Sequence, residues 1–93
     1  MRIGVLRVSF MIFNSQSLKQ KRMVLRSVKD RLMNQFNISV AEIGSNDKWQ
    51  IAELGIAAVG NNGRFVNSVM EEVKNFLDSN PAIRIIEAEI EVI

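Results

Sequence analysis

The chain contains four segments of strand-like hydrophobic composition and two segments with helical periodicity. Residues 2–13 alternate between two faces, one of which carries Leu6, Val8, Phe10 and Ile12. Three further segments rich in β-branched and apolar residues, 38–44, 49–60 and 83–93, predict three more strands. The polar residues 45–48 have the composition of a turn, so the second and third strands are predicted to form a hairpin.

Two amphipathic helices are predicted between these strands. Ser17, followed three residues later by Gln20, fits a capping box, so the first helix is expected to span residues 18–36. Its apolar stripe consists of Leu18, Leu25, Val28, Leu32 and Phe36. The second helix is expected near residues 62–78, between the loop 61–63 and Pro81. Its apolar residues are Phe65, Val66, Val69, Met70, Val73, Phe76 and Leu77.

The order strand–helix–strand occurs twice, which predicts a single ferredoxin-like domain over residues 1–93. This is an α+β fold with a four-stranded antiparallel sheet and both helices on one face. Right-handed crossovers favour the strand order 4-1-3-2.

One sheet face has no helix over it in this arrangement. The first strand is expected to place Ile3, Val5, Arg7, Ser9, Met11 and Phe13 on this face, and the fourth strand Ile83, Ile85, Glu87, Glu89 and Glu91. The third strand offers either parity, and we favour the one that adds Trp49, Ile51, Glu53, Gly55, Ala57 and Val59 to this face. Such a face is too apolar to remain in water, so we expect a homodimer with Val5, Met11, Phe13 and Ile85 in its interface. A site for a hydrophobic ligand is the alternative.

Composition narrows the chemistry. The 93 residues include no His and no Cys, so the commonest general base and the thiol nucleophile are absent. No motif predicts a metal or a cofactor, and we expect a cytoplasmic, noncatalytic protein that is not in the membrane. Glu87, Glu89 and Glu91 are expected to pair across strands with Arg7. The alternative to a noncatalytic protein is an enzyme that uses carboxylates and lysine.

The charge distribution points to an anionic partner. Residues 17–31 hold six of the twelve Lys and Arg residues and one acid, Asp30, a local net charge of +5. In the first helical turn such cations oppose the helix dipole, which a sequence selected for stability alone would avoid. A structured RNA is predicted to contact the following residues through its phosphates: Lys19, Lys21, Arg22, Arg26 and Lys29.

Two alternatives apply to these residues. The basic side chains could form a solvated helix face, and Lys21, which falls on the apolar stripe, could reach water by snorkelling. Base stacking on the open sheet is not expected, because the centres of strands one and three hold Arg7, Ser9, Glu53 and Gly55 rather than aromatic residues.

Residues 17–22 (Ser-Leu-Lys-Gln-Lys-Arg) and 36–42 (Phe-Asn-Ile-Ser-Val-Ala-Glu), followed by Trp49, resemble the YlxP-like family of small bacterial proteins. The resemblance implies a ferredoxin-like topology. Genes of that family lie among those for translation initiation and ribosome maturation, which implies a role near the ribosome or RNA. Glu42 is a possible structural partner for one of the helix-start bases.

Two functional interpretations follow. The first is a noncatalytic RNA- or ribosome-associated protein that contacts phosphates through its first helix. The alternative is a structural or regulatory homodimer that binds an acidic protein partner.

Overall fold

The four strands form one antiparallel sheet, and both helices lie on the same face of it. The computed structural model describes residues 1–93. Its elements in chain order are β1 (Arg2–Ile12), α1 (Leu18–Gln35), β2 (Ser39–Gly44), β3 (Ile51–Gly60), α2 (Gly63–Asp78) and β4 (Ile83–Val92). The sheet order is β2-β3-β1-β4, so the predicted ferredoxin-like fold and strand order are confirmed. Neither helix combines the length and the apolar character needed to cross a membrane.

Side-chain caps determine where both helices begin. The Ser17 hydroxyl accepts a hydrogen bond from the Gln20 amide at 3.1 Å, as the capping pattern predicts. The Gln20 side chain accepts from the Gln16 amide at 2.6 Å, one residue before the cap. At α2, the Asn62 side chain accepts from the amides of Arg64 and Phe65 at 2.8 and 3.3 Å.

The core lies between the helices and one face of the sheet. Both central strands bury alternate residues, and the parity predicted for β1 and β3 is confirmed. The buried strand residues are Leu6, Val8, Phe10 and Ile12 in β1 and Ala52, Leu54, Ile56 and Ala58 in β3. The helices contribute Leu25, Val28, Leu32, Val66, Met70, Val73 and Leu77. Helix α2 packs closely on β1, since a Cβ added at Gly4 would lie 2.7 Å from the Val66 carbonyl oxygen.

The prediction for the start of β4 is wrong, because a β-bulge changes the strand's parity. Ser9 pairs with Glu87, whereas Phe10 pairs with Ile85, so β4 has one additional residue at this point, Ile86. Ile85 lies opposite Phe10 and Ile83 lies opposite Ile12. Both isoleucines therefore lie on the helix-covered face of the sheet. Ile83 is buried, and Ile85 packs against the core. The expected placement of both isoleucines on the open face does not hold.

Candidate functional site

Four of the predicted anion-binding residues lie together along one side of α1. We call Lys19, Arg22, Arg26 and Lys29 the basic face. By helical geometry they fall within about 80° of one another. The first three side chains are exposed and Lys29 is half-buried. No carboxylate lies within ion-pair distance of any of them. The chain has one ion pair, and it joins Lys21 to Glu42.

The basic face points away from α2. The Arg31 guanidinium carbon lies 6.0 Å from the centre of the Phe76 ring, so the Arg31 side of α1 faces the second helix. Phe36 also meets Phe76, edge to face, with 5.8 Å between ring centres. The centre of the basic face is roughly 160° around the helix from Arg31. This surface therefore lies on the side of β2, an edge strand of the sheet, and α2 does not cover it.

Lys21 is not part of this surface, and its predicted role in phosphate contact is wrong. Its side chain is only 2% exposed, and its Nζ lies 3.0 Å from Oε2 of Glu42. The predicted pairing of Glu42 with a helix-start base is thus confirmed. Oε2 is itself buried and accepts no well-aligned hydrogen bond, so the ammonium is its partner through charge and proximity. Lys21 does not snorkel to water, because Glu42 on β2 provides an internal counterion.

Lys21 also anchors the loop between β2 and β3. Its Nζ donates to the carbonyl oxygen of Ser45 at 2.5 Å, and the same oxygen accepts from the Lys48 amide at 3.1 Å. Ser45 has a left-handed backbone conformation, with φ of 57°, which sends the chain sharply into the turn. The first turn of α1 and the loop of residues 45–50 are therefore held together at one end of the molecule.

The open sheet face carries the apolar surface expected from the sequence, without Ile85. Val5 and Met11 are half-buried and Phe13 is exposed. A shallow groove of about 600 Å³ runs over the β2 side of this face, and its floor consists of small residues. The lining includes Ser39, Ala41, Gly55, Ala57, Val5 and Ile43.

Sequence reasoning missed Ile43. This residue is a bulge between two paired positions of β2, Glu42 opposite Leu54 and Gly44 opposite Glu53. Its side chain lies over Gly55, where an added Cβ would be 3.0 Å from its Cγ2 atom. The alternation of β2 could not reveal this, although a glycine in the middle of β3 is a signal for close packing by a neighbour.

The carboxylates on β4 are register neighbours of β1 but do not pair with it. Glu89 lies opposite Arg7, and Glu87 lies opposite Ser9. No Arg7 nitrogen is within ion-pair distance of a carboxylate oxygen, so the predicted cross-strand ion pairs do not form. With Glu53 these side chains border a small polar depression of about 180 Å³. No three acidic side chains lie close enough together to hold a metal ion.

Comparison with known proteins extends over nearly all of this fold. A family described as "Protein of unknown function (DUF503)" matches residues 3–90. A protein of Bacillus subtilis (strain 168), named "Uncharacterized protein YlxP", is 40% identical over 81 residues. That alignment covers 87% of this chain and 88% of the relative. Both matches agree with the resemblance seen in residues 17–22 and 36–42.

Proposed function

We propose that this chain, which belongs to the DUF503 family of YlxP-like proteins, is a noncatalytic, RNA- or ribosome-associated protein. The basic face of α1 would contact phosphates of the RNA backbone. One observation carries the proposal: four cationic side chains line one side of a helix, and no carboxylate of the chain pairs with them.

Energetics supports a ligand for this face. Lys19 lies in the first helical turn, which contains no acidic residue, and Arg22 follows directly after that turn. Cations near a helix N-terminus are disfavoured by roughly 0.3–1 kcal/mol each, so the arrangement stabilises neither the helix nor the fold. A bound anion would remove this unfavourable interaction and could also accept hydrogen bonds from the side chains.

The geometry of the face fits a polyanion better than a single anion. From Lys19 to Lys29 the helix rises about 15 Å, and the four side chains project along that length. An extended backbone with repeated charges can contact all four at once, whereas one phosphate cannot. Contacts of this kind position a protein on RNA and do not read its sequence.

The salt dependence of RNA binding tests the proposal. Four phosphate contacts predict that log Kd rises with log salt concentration with a slope of about 3, which weakens binding roughly 50- to 100-fold between 50 and 200 mM salt. Fluorescence anisotropy of a labelled structured RNA would measure this slope. Pull-down from lysate with and without nuclease would identify partners that depend on RNA. Absence of binding at 50 mM salt would contradict the proposal.

A second candidate function is a homodimer whose basic helix meets an acidic protein. The observation in its favour is apolar exposure: Val5, Met11 and Phe13 border the open face, and Met23 and Met33 of α1 are more than half exposed. Exposed methionines suit adaptable protein–protein contacts. Competition tests whether the two functions use the same surface, since an acidic protein partner would displace RNA only if both bind the basic face.

A further inference from the structure

The loop of residues 45–50 places an exposed aromatic side chain at the same end of the molecule as the first turn of α1. Trp49 is the one tryptophan of the chain, and 54% of its surface is exposed. It follows Lys48, which is also exposed. Trp49 lies outside the strands and outside the buried core, so packing within this chain does not account for an indole at this position.

The position of this loop is constrained. The Ser45 carbonyl oxygen accepts hydrogen bonds from the Lys21 ammonium and from the Lys48 amide. The residue that anchors the loop thus lies in the same helical turn as Lys19 and next to Arg22. A loop held in this way loses less conformational entropy when it binds a ligand than a free loop would.

The surroundings of Trp49 suit a flat ring. The indole borders a shallow groove of about 390 Å³ at one end of the open sheet face, together with Met11, Asp47, Lys48, Gln50 and Ile51. An aromatic side chain beside cations is the usual arrangement for binding single-stranded nucleic acid, since bases stack on the ring while cations follow the backbone. The centre of the open sheet face has no aromatic side chain on which a base could stack, whereas Trp49 provides one at this end of the sheet.

We infer that Trp49 stacks on an unpaired base of the RNA whose phosphates lie against Lys19 and Arg22. Lys48 contacts a phosphate between the two sites. This inference rests on the proposed function and adds to it the class of RNA: one with a single-stranded segment, rather than a fully paired duplex. Lys21 acts as a positioning residue, because it holds the loop against α1 without touching the RNA.

The fluorescence of the single tryptophan provides a direct test. Titration of the protein with a single-stranded oligonucleotide of uridine is expected to quench Trp49 emission to saturation, whereas a duplex of equal length quenches it much less. Trp49→Ala is expected to lower the affinity for the single strand about tenfold or more, and Trp49→Phe is expected to retain most of it.

Phe65 provides a matched control. It is exposed to a similar extent, 57%, but lies at the start of α2, beyond the far end of β3 from Trp49. Phe65→Ala is expected to leave RNA affinity unchanged. Urea unfolding of both alanine variants verifies that they are folded.

The outcomes separate this inference from the proposed function. Salt-dependent RNA binding with unchanged Trp49 emission and unchanged affinity of Trp49→Ala would overturn the inference and leave the proposed function intact. A change in sedimentation of Trp49→Ala without a change in RNA affinity would assign Trp49 to self-association and also overturn it. Failure of the unmodified protein to bind any RNA would overturn both.

Discussion

Lys21 and Glu42 join the first turn of α1 to edge strand β2 through a 3.0 Å contact between Nζ and Oε2. This is the one ion pair of the chain, and its lysine is almost completely buried. Buried pairs contribute little net stability compared with well-packed apolar residues, but removing one partner leaves the other charge uncompensated. The pair therefore holds the first turn of α1 against β2, and the same ammonium holds the β2–β3 loop through the Ser45 carbonyl oxygen.

Lys21→Ala is expected to destabilise the protein by about 3 kcal/mol, because Glu42 loses its counterion and the substitution leaves a cavity. Urea unfolding measures this change. The control is Lys19→Ala, two residues earlier and exposed, which should change the free energy of unfolding by less than about 0.5 kcal/mol. The double substitution Lys21→Met/Glu42→Leu should recover much of the loss. Equal stabilities of the two alanine variants would show that the ion pair has no structural role.

Gly4→Ala is expected to cost about 1–3 kcal/mol, because the new Cβ would press on the backbone carbonyl of Val66 in α2. Thermal unfolding measures the effect. Gly63→Ala is the comparison, since its Cβ meets only the flexible side chain of Arg2 and no backbone strain is present there. If both substitutions have the same small effect, the close approach of α2 to β1 is not as described.

Val5→Lys is expected to weaken self-association and leave the fold stable, because Val5 is half-buried on the open face and would face the second copy. Ile85→Lys is expected to unfold or strongly destabilise the chain instead, because Ile85 packs against the core. Sedimentation velocity and urea unfolding separate the two effects. A monomer mass for the unmodified protein at high concentration would end the dimer proposal.

Regular patterns in the sequence predicted most of the fold. The alternation along β1 and β3 gave the correct inner face, and Ser17 and the loop 61–63 marked the two helix starts, because these signals are local. The face of Ile85 could not be predicted, since the bulge at Ile86 depends on pairing with β1. The bulge at Ile43 was also missed, because it depends on the pairing of β2 with β3.

The candidate site was predicted in part. The concentration of positive charge in residues 17–31 identified Lys19, Arg22, Arg26 and Lys29 as candidates, and the structure places these four along one side of α1. Lys21 differs because its environment depends on Glu42, which is 21 positions away in sequence and on another element. The position of Lys21 on the apolar stripe indicated that its side chain would be buried. The counterion Glu42 makes that burial possible.

The most direct test of the central claim compares two charge-matched double substitutions. Arg22→Gln/Arg26→Gln removes two charges from the basic face, whereas Arg2→Gln/Arg64→Gln removes two exposed arginines from the starts of β1 and α2, at the other end of the sheet from Trp49. If the basic face binds RNA phosphates, the first pair should weaken RNA affinity about tenfold or more and lower the salt slope by about 2. The second pair should retain the slope of the unmodified protein. Equal losses from both pairs would show that net charge alone attracts RNA, and no loss from the first pair would contradict the assignment of α1 as the RNA-binding surface.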